Sequence, residues 1–249
     1  MKTYKRRIIS GDIIEYEYYK SIKPIGKNYG GRLSKKSRTP EKLKKANQMR
    51  AIKNIQRLIL CNYTPGEDWW CRFSAPFGTF TTEEDFRREV GNWLRRIKTR
   101  LKKDDIKLKY IAFIECGILG KNWHIHIILE DAVRKVAQEC WNYKDGMNFT
   151  PLYQRGNFEA LADYIRKDVK GKKRIMTSRN LQKPEIKVFE AKKRELRKLE
   201  RGEMIKIPEG YYLLKDDPEY NLNDITGASW YFAFRKLDKV NKRKQTAIA

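Results

Sequence analysis

Apolar residues recur at helical spacing in two stretches of the first half of the chain. The first stretch predicts a helix from Pro40 to about Cys61, with Thr39 as its N-cap. The second predicts a basic amphipathic helix that ends near Lys103. Thr81 and Glu84, three residues apart, would form the capping box that begins this second helix.

Between and after these helices lie short apolar runs that are typical of strands. They cover Trp69–Ala75, Leu108–Glu115, Trp123–Glu130 and Phe149–Pro151. The loop 116–122 contains two glycines, as expected for the turn of a hairpin. Helices and antiparallel neighbours in this order predict an α+β fold, with a central antiparallel β-sheet and helices packed on one face.

The pattern also suggests where the chain divides. Residues 1–38 mix Tyr, Lys and Gly without clear periodicity, which predicts a basic, partly extended N-terminal arm. The sheet and its helices predict a domain over 39–185. Residues 186–249 contain a predicted charged helix near 187–201, an aromatic strand-like segment over 210–236 and a basic tail, which can pack on that domain.

Charge narrows the choice of partner. The 249 residues include 56 Lys and Arg against 31 Asp and Glu, a formal net charge of +25. Such an excess favours a polyanionic partner, with nucleic acid ahead of an anionic membrane surface. No apolar run reaches the roughly 20 residues of a membrane span, no secretory signal is recognised, and four scattered cysteines favour reduced thiols. We therefore expect a cytoplasmic protein that binds no membrane.

The two histidines of the chain stand in one predicted strand, at His124 and His126. Because residues i and i+2 of a strand point to the same side, both imidazoles project together. Ordinary sheet residues are the alternative, but neutral imidazole is a common metal ligand. Glu115 ends the preceding apolar strand, so a hairpin would place its carboxylate beside His124. Two nitrogens and one carboxylate predict a catalytic site for Mg²⁺ or Mn²⁺.

A third predicted helix covers 157–169, between two glycines. On it, Tyr164, Lys167 and Asp168 lie at i, i+3 and i+4 and therefore share a face. A tyrosine becomes an effective nucleophile toward a metal-polarised phosphodiester with a cation nearby. Helical spacing alone equally allows an amphipathic helix with a core-facing tyrosine and a solvated lysine.

Taken in order, these residues resemble the HUH endonucleases, specifically the rolling-circle replication initiators of bacterial plasmids, integrative elements and phages. Glu115 precedes His124-Ile125-His126, and Tyr164-Ile165-Arg166-Lys167 follows, as in the HUH and YxxK motifs of that superfamily. Residues 70–74 occupy the place of its first motif and match it as a strand. The resemblance runs from about residue 40 to about residue 212.

The resemblance implies a ferredoxin-like or RRM-like HUH nuclease domain that nicks and joins one DNA strand at a specific site. A divalent metal on the two histidines and Glu115 would polarise the scissile phosphate. Tyr164 would attack it, leaving a 5′-phosphotyrosine and a free 3′-OH. Lys167 would position the phosphate or stabilise developing charge, and Asp168 is a further candidate metal ligand.

The resemblance also implies partners. DNA would be bound as a single-stranded origin or hairpin with flanking duplex. The chain contains no P-loop motif, so a host helicase and polymerase would act with it. Because the motif holds one tyrosine, termination would need a second subunit of a homo-oligomer, a water molecule or reuse of the same residue.

Several alternative functions stay open from the sequence. A transposase or conjugative relaxase of the same superfamily would keep the chemistry and change the biology. A non-catalytic module could bind single strands by stacking bases on aromatic side chains. An iron oxygenase also uses two histidines and one carboxylate, but the net charge of +25 gives that class no support.

Overall fold

The computed structural model of the chain describes residues 2–21, 41–117, 122–153, 156–167, 175–214, 219–223 and 227–237. The α-helices in these ranges are α1 Glu41–Asn62, α2 Glu83–Leu101, α3 Asp131–Glu139, α4 Glu159–Lys167 and α5 Lys193–Glu200. The strands are β1 Lys2–Ser10, β2 Ile13–Ser21, β3 Trp69–Ser74, β4 Ile111–Cys116, β5 Trp123–Leu129, β6 Met147–Pro151, β7 Ile175–Thr177, β8 Glu185–Glu190, β9 Tyr211–Leu213, β10 Glu219–Asn223 and β11 Gly227–Lys236.

The chain divides into two compact units, Thr39–Gln182 and the two terminal segments Met1–Arg38 and Lys183–Ala249. The unit Thr39–Gln182 is built on a five-stranded sheet with the order β6-β3-β5-β4-β7. All of its described pairings are antiparallel. The α+β class with an antiparallel sheet, as predicted from the sequence, is confirmed.

One face of this sheet carries the main hydrophobic core. Side chains of β3 and β5, including Phe73, Ile125 and Ile127, are fully buried there against α2 and α3. Trp93 of α2 is also fully buried, and its indole N–H donates to the carbonyl oxygen of Ala137 in α3 at 2.9 Å. A buried indole needs such an acceptor, so this bond fixes how the two helices pack.

The opposite face of the sheet is also covered, which differs from the expectation of helices on one face. Ile111, Phe113 and Ile128 alternate with the core residues of β4 and β5, and all three are buried. Helix α4 covers this second face, where the ring of Tyr164 lies 5.7 Å from that of Phe113. Two apolar faces each require a cover, because apolar surface left in water is unfavourable.

Helix α2 begins one residue later than the capping box in the sequence suggests, so the prediction of Thr81 as N-cap was wrong. Thr82 is the N-cap, with extended backbone angles, and its hydroxyl oxygen accepts from the backbone N–H of Asp85 at 3.1 Å. Both threonines precede an acidic residue at the third helical position. The sequence alone therefore does not distinguish the two registers.

The other unit combines both ends of the chain in one six-stranded sheet. Its strand order is β10-β11-β2-β1-β8, with β9 paired to β11. Segments expected to be an arm (1–38) and a separate C-terminal region (186–249) thus contribute to the same sheet. Strand β8 also occupies residues 187–190, where the sequence pattern predicts the start of a charged helix. Within this unit, Leu199 of α5 packs against Tyr18, Trp230 and Phe232 of the sheet.

In the described part of the chain, no helix is long and apolar enough to cross a membrane.

Candidate active site

The hairpin of β4 and β5 brings the predicted metal ligands together. Glu115 is the direct cross-strand partner of His124, and Phe113 is the partner of His126. Side chains directly opposite each other on one face of an antiparallel pair are close neighbours. Alternation along β5 puts both histidines on the face opposite the main core, as the sequence predicts. Their ring centroids are 5.0 Å apart.

A single carboxylate oxygen lies at the centre of this cluster. Oε2 of Glu115 is 3.3 Å from Nε2 of His124 and 3.2 Å from Nε2 of His126. One ligand atom from each of the three residues lies within 4.8 Å of the other two. Separations of this size suit three donors that share one divalent ion at about 2.0–2.2 Å. The cluster can therefore hold a metal ion.

The hydrogen bond on the far side of His124 supports this arrangement. Nδ1 of His124 lies 3.2 Å from the backbone oxygen of Asn122. A carbonyl oxygen can only accept, so this contact requires the proton on Nδ1 and leaves Nε2 of the neutral ring as an acceptor. Nε2 of His124 and Oε2 of Glu115 then face each other as two acceptors, and such a pair needs a cation or a proton between them.

His126 is the more buried histidine, with 7% of its surface exposed. The rings of Trp70 and Phe113 lie nearly parallel to its imidazole, at centroid distances of 5.1 and 4.9 Å. Burial lowers the pKa of His126 to about 3, and the neighbouring His124 and Arg72 contribute to this decrease. The ring is therefore neutral near pH 7 and available as a ligand.

The ring nitrogens of His126 lack well-aligned hydrogen bonds. Neither Nδ1 nor Nε2 has a hydrogen-bond partner of acceptable geometry among the described residues, although Nε2 is 3.2 Å from Oε2 of Glu115. An unsatisfied buried nitrogen is costly unless another group takes its lone pair. A metal ion at the cluster would satisfy Nε2, so the orphaned nitrogen fits the presence of a metal.

Helix α4 directs Tyr164 at the same carboxylate. Ala162 and Ile165 are buried and anchor the helix, whereas Tyr164 between them remains 44% exposed. Its hydroxyl donates to Oε2 of Glu115 at 3.2 Å, and its ring meets the ring of His126 edge-on at 5.7 Å. The tyrosine is therefore not a core residue, and its oxygen lies beside the candidate ligands.

The two remaining predicted residues fall at the end of this helix. Lys167 is the last residue of α4, and its side chain is not among those described. Asp168 lies outside the described residues. Their roles therefore stay predictions from the motif.

Residues from a third strand also line the site, and the sequence pattern assigned no role to them. Trp70 and Arg72 project from β3 on the histidine face, because Cys71 and Phe73 between them belong to the main core. The cross-strand partner of Arg72 on β5 is His126. Strand alternation could have placed Trp70 and Arg72 on one face, but only the β3–β5 register shows which strand they face.

Comparison with known proteins agrees with the region of the site. Residues 75–172 match the family model of the ORF2-type replication-associated proteins. That segment contains Glu115, both histidines and Tyr164, and the match fits the resemblance to rolling-circle replication initiators. A replication-associated family implies DNA as the partner. No curated protein and no solved structure matches the chain significantly.

Proposed function

We propose that this protein is a site-specific DNA nickase of the HUH type that initiates rolling-circle replication. The observation that carries the proposal is the convergence of three groups on one atom. His124, His126 and the Tyr164 hydroxyl all lie within 3.3 Å of Oε2 of Glu115. The family match over residues 75–172 supports the replication role.

The donor set supports Mg²⁺ or Mn²⁺ as the metal. Glu115 and the Nε2 atoms of the two histidines would hold the ion and leave positions open for water and a phosphate oxygen. When bound, the ion would withdraw negative charge from the scissile phosphate. Asn122 would orient His124 through the Nδ1 contact.

The nucleophile would be Tyr164. Its hydroxyl oxygen would form a bond to the scissile phosphorus while the bond from phosphorus to the 3′ oxygen breaks. The tyrosine proton balances the reaction by ending on that 3′ oxygen. The products are a 5′-phosphotyrosine on the protein and a 3′-OH that a host polymerase can extend.

Lys167 would supply positive charge near the phosphate in this proposal, and Asp168 would assist at the metal. Both assignments rest on their positions after Tyr164 in the motif. A single tyrosine in the motif makes a second subunit, water or reuse of Tyr164 the route to termination. A host helicase would open the duplex ahead of the polymerase.

Covalent capture from a random pool tests the proposal for any DNA target sequence. The protein is incubated with Mn²⁺ and a pool of single-stranded oligonucleotides with a randomised segment, then denatured, and retained DNA is sequenced. We expect an adduct with an enriched sequence, which disappears in Tyr164→Phe and His124→Ala.

Tyr153→Phe is the matched control, because Tyr153 is 64% exposed and has no role in the proposed reaction. It should form the adduct as the unmodified protein does. An adduct that persists in Tyr164→Phe, or no adduct with any sequence, would overturn the proposed mechanism and favour a non-catalytic binding module. An adduct that only rejoins two ends of one element would favour a transposase.

A further inference from the structure

Arg72 stands out among the arginines near the candidate site because nothing in the described part of the chain pairs with it. It is exposed on β3 and makes no hydrogen bond or ion pair there. Other arginines of the same unit each have a carboxylate within 2.9 Å, in the pairs Arg87–Glu83, Arg88–Asp85, Arg96–Glu89, Arg100–Glu139 and Arg134–Asp131. The unit thus pairs several of its arginines and leaves Arg72 available.

The position of Arg72 relates it to the candidate metal ligands. On one side its cross-strand partner is His126, and on the other side it is Asn148 of the edge strand β6. Its charge acts on the pKa of His126, so its guanidinium is within electrostatic reach of the site. Glu115 lies two strands away, which is about 10 Å across the sheet. Arg72 is therefore beside the three-residue cluster rather than part of it.

Polar side chains continue from Arg72 to the edge of the sheet. Asn148 and Thr150 are exposed on β6, and Met147 and Phe149, which alternate with them, pack against the main core. The hydroxyl of Thr150 lies 3.4 Å from Oδ1 of Asn148. The face next to the candidate site thus presents a cation and an amide side by side, with no described carboxylate paired to the cation.

This chemistry matches a phosphodiester. A guanidinium binds a phosphate through two parallel N–H donors, and an amide N–H adds a neutral donor. We propose that Arg72 and Asn148 form a subsite for a backbone phosphate of single-stranded DNA beside the scissile phosphate. This inference rests on the proposed function for its direction along the strand. Phosphate contacts of this kind fix the register of the strand rather than read its sequence.

Binding measured in EDTA tests the subsite separately from nicking, because no divalent metal is then present. The probe is a fluorescent single-stranded oligonucleotide, titrated at several salt concentrations. We expect Arg72→Gln to weaken binding about tenfold and to reduce the slope of log K against log salt by about 0.7, as for one lost phosphate contact on a single strand. Arg72→Lys should keep the slope and lose part of the affinity.

Arg88→Gln is the matched control, because it removes the same charge from a 73% exposed side chain on helix α2. It should change neither the slope nor the affinity appreciably. Asn148→Asp leaves Arg72 in place and should weaken binding by placing a negative charge in the subsite. Equal losses in Arg72→Gln and Arg88→Gln would show that net charge alone matters and would overturn the subsite. So would an unchanged slope in Arg72→Gln.

A nicking assay separates the two proposals. If the protein nicks DNA, Arg72→Gln should raise KM for the oligonucleotide several-fold and leave kcat within about threefold, as expected for lost uniform binding. A fall in kcat alone would overturn a positioning role at a neighbouring phosphate. If the unmodified protein forms no adduct, the nickase proposal fails, and the measurements in EDTA still decide the subsite.

Discussion

At the scale of single residues, Glu115 connects the parts of the candidate site. Its Oε2 atom faces both histidines and also accepts the hydrogen bond of Tyr164. Removing the negative charge of this residue would leave two neutral imidazoles, which alone are poor ligands for a hard divalent ion.

Glu115→Gln should therefore weaken Mn²⁺ binding by at least the roughly 10–100-fold typical of changes around a metal site. Isothermal titration calorimetry of the metal-free protein measures this change directly. Glu139→Gln is the control, because Glu139 is 55% exposed in a surface ion pair with Arg100 and should leave the affinity unchanged. Equal Mn²⁺ affinity in Glu115→Gln and the unmodified protein would remove Glu115 from the ligand set.

Cys71 illustrates a residue whose environment suppresses its chemistry. It is fully buried on the core face of β3, and burial raises the pKa of its thiol to about 12. The thiolate is the reactive form, and it forms only as the pH rises toward that raised value. In the folded protein at mildly alkaline pH, iodoacetamide should modify the partly exposed Cys140 and spare Cys71, as read by peptide mass spectrometry. Rapid modification of Cys71 without denaturant would contradict the packing of β3.

The residues of the site differ in how far the sequence predicts them. His124, His126 and Glu115 could be placed together because strand alternation and a short hairpin are local rules. Tyr164 followed from the motif, and its exposure supports the prediction. Trp70 and Arg72 could not be placed, because the register between β3 and β5 joins segments that are distant in the chain. No local pattern encodes that pairing.

At the scale of secondary-structure elements, the start of α2 depends on one hydroxyl. Thr82→Ala removes the acceptor for the backbone N–H of Asp85 and should lower the free energy of unfolding by about 1 kcal/mol. Thr81→Ala, one residue earlier, should change it by much less. Urea denaturation followed by circular dichroism compares the two variants. A larger loss in Thr81→Ala would restore the capping box first suggested by the sequence.

The junction of β3 and β6 depends on a glycine. A Cβ atom at Gly146 would overlap the backbone oxygen of Ser74, whose cross-strand partner on β5 is His124. Gly146→Ala should therefore cost about 1–3 kcal/mol in the free energy of unfolding. Gly91→Ala is the matched control, because Gly91 lies within α2 with no atom near the added methyl group. It should stabilise the protein by about 0.5–1 kcal/mol. Equal stability of the two variants would contradict the close approach at Gly146.

The strands of the terminal unit show why the N-terminal segment was expected to be an arm. Most positions of β1 and β2 carry tyrosine or charged residues, so simple apolar alternation is weak in the sequence. A signal was nevertheless present in Gly11-Asp12, a dipeptide typical of two-residue hairpin turns. Gly11 has a φ of 58°, which glycine adopts without strain. The pairing of β1 with β8 is a contact between distant segments, and no local rule predicts it.

At the scale of the whole molecule, charge and composition indicated the kind of partner but not the chemistry. A net charge of +25 fits DNA, and the match of residues 75–172 to a replication-associated family agrees with that interpretation. The α+β class was also predictable, since the order of elements follows from local periodicity. The grouping of residues 1–38 with 183–249 was not, because it depends on pairing between the two ends of the chain.

The central claim is that Tyr164 becomes covalently linked to DNA, and mapping the DNA-bound residue tests it most directly. The adduct formed with Mn²⁺ is trimmed with nuclease and protease and analysed by tandem mass spectrometry, while a polymerase extension assay examines the released strand. We predict a nucleotide 5′-phosphate on the peptide that contains Tyr164, together with an extendable 3′-OH. A nucleotide on any other residue, or cleaved DNA with a free 5′-phosphate and no adduct, would contradict the covalent mechanism.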